Sequence, residues 1–216
     1  MGQMGVGGID VIDQQALEPV LRRWVELMLD DEWGNDDAPW WYNERATLSV
    51  FAGAVWTTDG SVFEEYSVRK GKGASAYQGR ADIWFRVSTG QRFIAEAKQI
   101  WPCMGSRGKD PSERLLATME DASRQVLEVP VPADEAPLTI VFLTPWLRKS
   151  ELDVVETRFQ TLLDLIREAV PDANLAWAYR SAETCPVNQR PNGRFAHPGV
   201  IAVVRKACDS NLTTHT

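Results

Sequence analysis

Cysteine is scarce: Cys103, Cys185 and Cys208 are the only three in 216 residues, and they stand far apart. An odd, widely spaced set gives neither a disulfide framework nor zinc-ligand spacing. No apolar run approaches the ~18 residues that suggest a membrane span. The N-terminus lacks the basic-then-apolar pattern of a secretory signal. Met1-Gly2 opens like a myristoylation site, but Val6 stands where that signal needs Ser or Thr. Together these absences point to a cytoplasmic protein. There is no phosphate-binding P-loop, helix-turn-helix or zinc-finger pattern. Bases are outnumbered, 23 Lys+Arg against 30 Asp+Glu for a net charge of −7. That balance argues against a whole surface made for nucleic acid.

The charge is unevenly spread. Residues 1–66 hold 13 acids and 3 bases, whereas 67–124 hold 6 acids and 11 bases. A local basic excess is where phosphate would arrive, although soluble surfaces also carry such imbalances. At the centre of the basic third lies 79–98, GRADIWFRV-STG-QRFIAEAK. Two runs rich in β-branched and aromatic residues flank a short break with Gly, the signature of a hairpin. A three-residue Ser88-Thr89-Gly90 loop puts Gly90 at the left-handed position of a type I turn with bulge. That register pairs Val87 with Gln91, Phe85 with Phe93, Ile83 with Ala95 and Asp82 with Glu96. Alternation then sets Asp82, Glu96 and Lys98 on one face. A two-residue loop would turn Asp82 away.

Two adjacent carboxylates repel unless a cation lies between them. A hard divalent ion fills that role, and a nearby lysine can hold or activate a water. Asp82, then Glu96-Ala97-Lys98 on the next strand, resembles the PD-(D/E)xK nuclease superfamily, which has the restriction-endonuclease-like fold. Ala81 replaces the nominal proline and removes no ligand. No other Glu-x-Lys or Asp-x-Lys occurs in the chain. The resemblance implies that Asp82 and Glu96 bind Mg²⁺, with Mn²⁺ able to substitute, that the Ala97 carbonyl is a further ligand, and that Lys98 positions or activates the attacking water. An edge hairpin with a surface salt bridge is the simpler alternative.

Elsewhere, apolar spacing predicts a helix from about 14 to 29, capped by Asp13, with Pro19 in its first turn. The Gly-rich residues 1–9 before it are expected to be mobile. Trp40 and Trp41 suit core or lid packing better than base stacking. Asn43 should cap a second helix whose stripe is Glu44, Leu48, Phe51 and Val55. The resemblance makes Glu44 a candidate for the metal site or its water shell; a favourable charge at a helix N-terminus is the alternative. A strand over 61–68 leads into Arg69-Lys70-Gly71-Lys72-Gly73, either a phosphate contact or a solvated turn. Lys70, Lys72, Arg80, Arg107, Lys109 and Gln125 are the candidate nucleic-acid contacts. A third helix runs to about 129 on Leu115, Leu116, Met119, Ala122, Val126 and Leu127. It lacks the Gln-then-Tyr pair of exonuclease-like family members. A continuous apolar strand over 138–144, a helix over 151–170 and strands over 174–179 and 200–206 complete the order. In the loop between the last two strands, Arg190, Arg194 and His197 could touch nucleic acid, though a lone loop His reads most simply as a surface residue.

This order predicts an α/β fold, a central mixed sheet with helices on both faces. Residues 1–42 would pack on the core as a helix and acidic loop, 43–208 would form the nuclease-like domain, and 209–216 a disordered tail. The resemblance spans roughly 43–180 and implies a metal-dependent DNA endonuclease of a restriction, phage-defence, repair or mobile-element system. RNA is a possible substrate too. With no separate DNA-reading motif, specificity would come from loops, a homodimer or a partner protein. The alternative is a non-cutting relative that binds nucleic acid or protein within a larger complex.

Overall fold

The computed structural model describes residues 5–33, 37–71, 73–185 and 194–208. In chain order the elements are β1 (Val6–Asp10), α1 (Glu18–Met28), α2 (Glu44–Thr57), β2 (Ser61–Lys70), β3 (Tyr77–Arg86), β4 (Arg92–Ile100), α3 (Ser112–Leu127), β5 (Glu135–Leu143), β6 (Leu147–Arg148), α4 (Val155–Ala169), β7 (Asn174–Tyr179), β8 (Phe195–Ala196) and β9 (Gly199–Lys206). Seven strands form one sheet in the order β1-β7-β9-β5-β4-β3-β2, and β6 and β8 form a separate ribbon. Within the seven, β4 and β5 are parallel and every other pair is antiparallel. The fold is therefore α/β with a mixed central sheet flanked by helices. Among the described residues no helix is long and apolar enough to cross a membrane.

The layers follow from side-chain alternation. Phe93, Ala95 and Ala97 of β4 and Ile140 and Phe142 of β5 pack with Leu21, Trp24, Phe51 and Val55 of α1 and α2. On the opposite face, Val141 and Leu143 pack with Leu115 and Met119 of α3 and Phe159 and Leu163 of α4. The parallel β4–β5 step needs a crossover, and α3 supplies it. β5 lies in the middle of the sheet and is buried from Leu138 to Leu143, as its unbroken apolar run predicts. Trp40 is wholly buried and its Nε1 donates to the His197 carbonyl at 3.0 Å, so the tryptophan pair packs.

Several expectations are met locally. Ile83 pairs with Ala95 and Phe85 with Phe93. The Gly90 N–H donates to the Val87 carbonyl, and Gly90 sits at φ +91°, the left-handed position that selects glycine. The Asn43 side chain accepts from Ala46 N–H at 3.0 Å and so caps α2.

Others are corrected. Residues 6–10 are not a mobile leader but β1, the sheet's edge strand, paired with β7. The Asp13 cap does not form: Asn174 Oδ1 accepts the N–H groups of Ile12 and Asp13, and a 3₁₀ turn (Gln15–Leu17) precedes α1. Leu116 is exposed rather than part of the buried stripe of α3. The proposed tail 209–216 lies outside the described residues.

Candidate active site

Two ladders fail at one level of the sheet, and the site sits there. The β3–β4 ladder ends at Ile83–Ala95, one residue before Asp82 could face Glu96. The β2–β3 ladder pairs Glu64 with Ile83 and Tyr66 with Ala81 but omits Glu65–Asp82 between them. Glu65 is held at φ +51°, a left-handed conformation costing a non-glycine residue roughly 1–2 kcal/mol. Both strands roll over at this point. Val62 and Ile83 pack on the α1–α2 side, whereas Tyr66, Val68 and Ala81 pack with Ile94 and Val126 on the α3 side. The predicted Asp82–Glu96 backbone pair is therefore absent. The Asp82 side chain takes its place, with Oδ2 accepting the Ala97 N–H at 2.8 Å. Backbone strain of this kind concentrates at functional sites.

Lys98 ties the acids together. Its Nζ lies 3.1 Å from Glu96 Oε1 and 4.0 Å from Asp82 Oδ2. Glu96 has a second cation, Lys70, with Nζ 3.3 Å from Oε2. Lys70 reaches it from the end of β2, passing Gly79, where a Cβ would stand 3.0 Å from Lys70 Cδ. The Glu96 and Lys70 side chains are only 6% and 8% exposed, against 20% for Asp82 and 25% for Lys98. The site thus has a closed back and an open front.

The Ala97 carbonyl shares this place. In a strand, one residue's N–H and C=O point to the same neighbour. The Ile100 carbonyl accepts from Thr144 N–H just beyond β5, so Ile100 turns towards β5. Alternation then turns Ala97 towards β3, as its bond to Asp82 also requires. Two carboxylates and a main-chain oxygen at one sheet opening are a hard-cation donor set. Among the described residues no three His, Cys, Asp or Glu side chains form a metal-holding cluster, so a cation here would rely on the two acids and main chain.

The electrostatics suit such an ion. Burial pushes the Asp82 carboxyl above its usual range; the Ala97 N–H opposes this and Glu96 adds to it. Glu44, in the first turn of α2, is also raised by burial, against the pull of Lys98 and the Gln99 N–H. Burial alone would lower Lys98, but Glu96, Asp82 and Glu44 together raise it, so its ammonium is charged at neutral pH.

The other expected contacts divide. Lys70 is corrected: it is no exposed phosphate contact but a buried partner of Glu96. Arg80 is exposed and engaged by Glu65 at 3.2 Å. Arg107 and Lys109 are exposed in the loop after β4. Gln125 donates to Asp121 at 2.7 Å on α3. Lys72 and Arg190 lie outside the described residues. Gln99 points away from the acids, as expected, and donates to Thr144 Oγ1 at 2.7 Å. His197 is corrected from a plain surface residue to a half-buried one, and burial of its ring lowers its pKa. The sequence marks Lys70 as a candidate phosphate contact and does not show its pairing with Glu96. The available signal was slight: a lysine at the end of a strand, two residues beyond Val68, the residue that faces Gly79.

Comparison with known proteins finds no matching family model, no matching curated protein and no matching solved structure.

Proposed function

We propose that the chain is a metal-dependent nuclease of the PD-(D/E)xK type, with a restriction-endonuclease-like core, acting on DNA as an endonuclease. The observation that carries this reading is the convergence of Asp82 and Glu96 on one ammonium, that of Lys98, beside the Ala97 main chain. Asp82, Glu96 and the Ala97 carbonyl would hold Mg²⁺, or Mn²⁺ in its place. When bound, the ion supplies Lewis-acid stabilisation of phosphoryl charge and a more acidic water. Lys98, being charged, acts as a donor: Nζ orients the nucleophile or a phosphate oxygen and offsets negative charge as it develops. Glu44 stands ready to take a proton near Lys98. Lys70 fixes Glu96 from behind. Exposed Arg107 and Lys109 would meet backbone phosphates, and specificity would come from loops, a second copy or a partner protein.

The test is incubation of the purified protein with plasmid, linear duplex and single strands in Mg²⁺, Mn²⁺ or EDTA. Cleavage with either metal, and none in EDTA or with Lys98→Ala, is expected. Cutting that persists in EDTA would refute the reading.

Metal binding has its own readout. Ligand at a hundred times its Kd stabilises by ~2.7 kcal/mol, which at ~2–4 °C per kcal/mol lifts Tm by roughly 5–10 °C. Saturating Mn²⁺ is expected to do this for the wild type and not for Asp82→Asn. An equal shift in both would place the ion elsewhere.

One observation favours a second reading. Glu96 is already compensated by two lysines without a metal. A non-cutting relative that binds nucleic acid or protein within a larger complex would keep the fold in that way. Absence of cleavage on every substrate and metal, with no Mn²⁺ shift, would select it.

A further inference from the structure

Where the chain leaves β4 and β5, four rings line a cavity of about 250 Å³: Trp101, Trp146, Phe195 and His197. This is smaller than the roughly 300–1,000 Å³ of drug-sized pockets and suits one planar group. The rings are held firmly. The Trp146 main chain is bonded to Pro102 and Met104, and its Nε1 donates to the Trp101 carbonyl at 3.3 Å. Trp146 meets Phe195 edge to face at 4.9 Å, and Trp101 meets His197 likewise at 5.4 Å. The His197 carbonyl accepts from both Trp40 and Trp41. Burial keeps the His197 ring neutral at neutral pH, against the pull of its bond to the Pro145 backbone. The cavity therefore has an uncharged aromatic lining.

Its rim is basic. Phe195 also lines a neighbouring groove with Arg148, Lys149 and Arg194. The β6–β8 ribbon builds that junction by pairing Arg148 with Phe195, and Lys149 N–H donates to the Arg194 carbonyl. Aromatic faces beside cations at fixed spacing are the recognition chemistry of a nucleotide: stacking for the base, charge for the phosphate. Trp101 follows Lys98 by three residues, about 10 Å along an extended chain. A strand whose base entered the cavity would thus pass close to the acids.

We infer that the Trp101–Trp146–Phe195–His197 cavity is a subsite for one unstacked nucleobase, with its flanking phosphate on Arg148, Lys149 and Arg194. The substrate is then a nucleic acid with an unpaired or extruded base, not an undistorted duplex. This rests on the reading of the chain as acting on nucleic acid, and it deepens that reading by naming the strand state.

The experiment is fluorescence anisotropy with a short labelled single strand, DNA and RNA in separate arms, in EDTA so that binding is read without cleavage. Phe195 is 43% exposed, so Phe195→Ala should leave the fold intact. Loss of one stacked base is expected to weaken binding about fivefold to a hundredfold. Phe195→Trp should restore it, and Trp146→Ala should weaken it similarly. A wholly abasic strand should bind wild type and Phe195→Ala alike. Arg148→Ala should lower the salt slope by about one. Single-strand affinity unchanged in both aromatic variants, or a loss equally large on the abasic strand, would overturn the subsite. Failure of cleavage with base binding intact would overturn only the nuclease; cleavage with base binding insensitive to both variants would overturn only the subsite.

Discussion

Asp82→Asn is expected to lower metal-dependent cleavage by about 100-fold or more while making the fold more stable at neutral pH. The first half follows from its place as a proposed cation ligand, since even groups that merely support metal ligands are worth ~10–100-fold. The second half follows from its environment. Burial and the Glu96 charge raise its folded pKa above the ordinary aspartate value of 3.8, with the Ala97 N–H, Lys98 and Lys70 only partly opposing them. A carboxylate raised in the folded state binds its proton more tightly there than in the unfolded chain. Its cost to stability is absent below the unfolded pKa, grows as pH rises to the folded pKa, and is full above it. Asn carries no charge and can still accept the Ala97 N–H. The variant should therefore unfold at higher temperature than wild type at neutral pH, with the gap closing as pH falls towards 3.8. Thermal unfolding across pH, measured without metal, decides this. A lower Tm at neutral pH would mean that the Asp82 charge is structural and would remove the argument for a cation. Lys98→Met belongs with it: loss of the one donor shared by both acids is expected to cost ~10²–10³ in cleavage rate.

This trade of stability against charge also explains what could be read from the chain and what could not. The hairpin register was legible because Gly90 had to take the left-handed position, and with the register came the spacing of Asp82, Glu96 and Lys98. The cap at Asn43 and the buried run in β5 were legible for the same reason, that local chemistry and tertiary packing agree there. β1 was not. Its Gly7 and Gly8 look like a flexible leader, yet a Cβ on Gly7 would meet Val25 Cγ1 at 2.3 Å. Glycine is there so that α1 can lie close on the edge strand, a contact between distant segments that composition does not show. The roll at Glu65 and Asp82 was equally hidden, because glutamate carries no preference for a positive φ. Nor could a basic Gly-rich segment announce that one of its lysines folds inward. That depends on Gly79, nine residues further on, leaving room for the Lys70 stem.

The Lys70–Glu96 pair yields the largest expected effect on the fold. Both side chains are less than a tenth exposed, so each charge depends on the other for what water would otherwise provide. The partners are not equivalent. Glu96 keeps Lys98 at 3.1 Å when Lys70 is removed, whereas Lys70 has Glu96 as its ion-pair partner and would be left buried beside a neutral amide in Glu96→Gln. Glu96→Gln is therefore expected to cost about 3–5 kcal/mol, and Lys70→Met less. At ~2–4 °C per kcal/mol the first is a fall in Tm of roughly 6–20 °C. The double variant Lys70→Met, Glu96→Gln should recover most of the loss, because neither charge is then stranded and Met fills the space of the lysine stem. Urea unfolding of the four proteins gives the coupling energy directly. Strict additivity would show that the pair does not act as a unit. Recovery to wild-type stability would show that the fold does not need this pair. A buried ion pair that folding can do without is one kept for where it holds Glu96, at the back of an opening whose front is formed by Asp82 and Lys98.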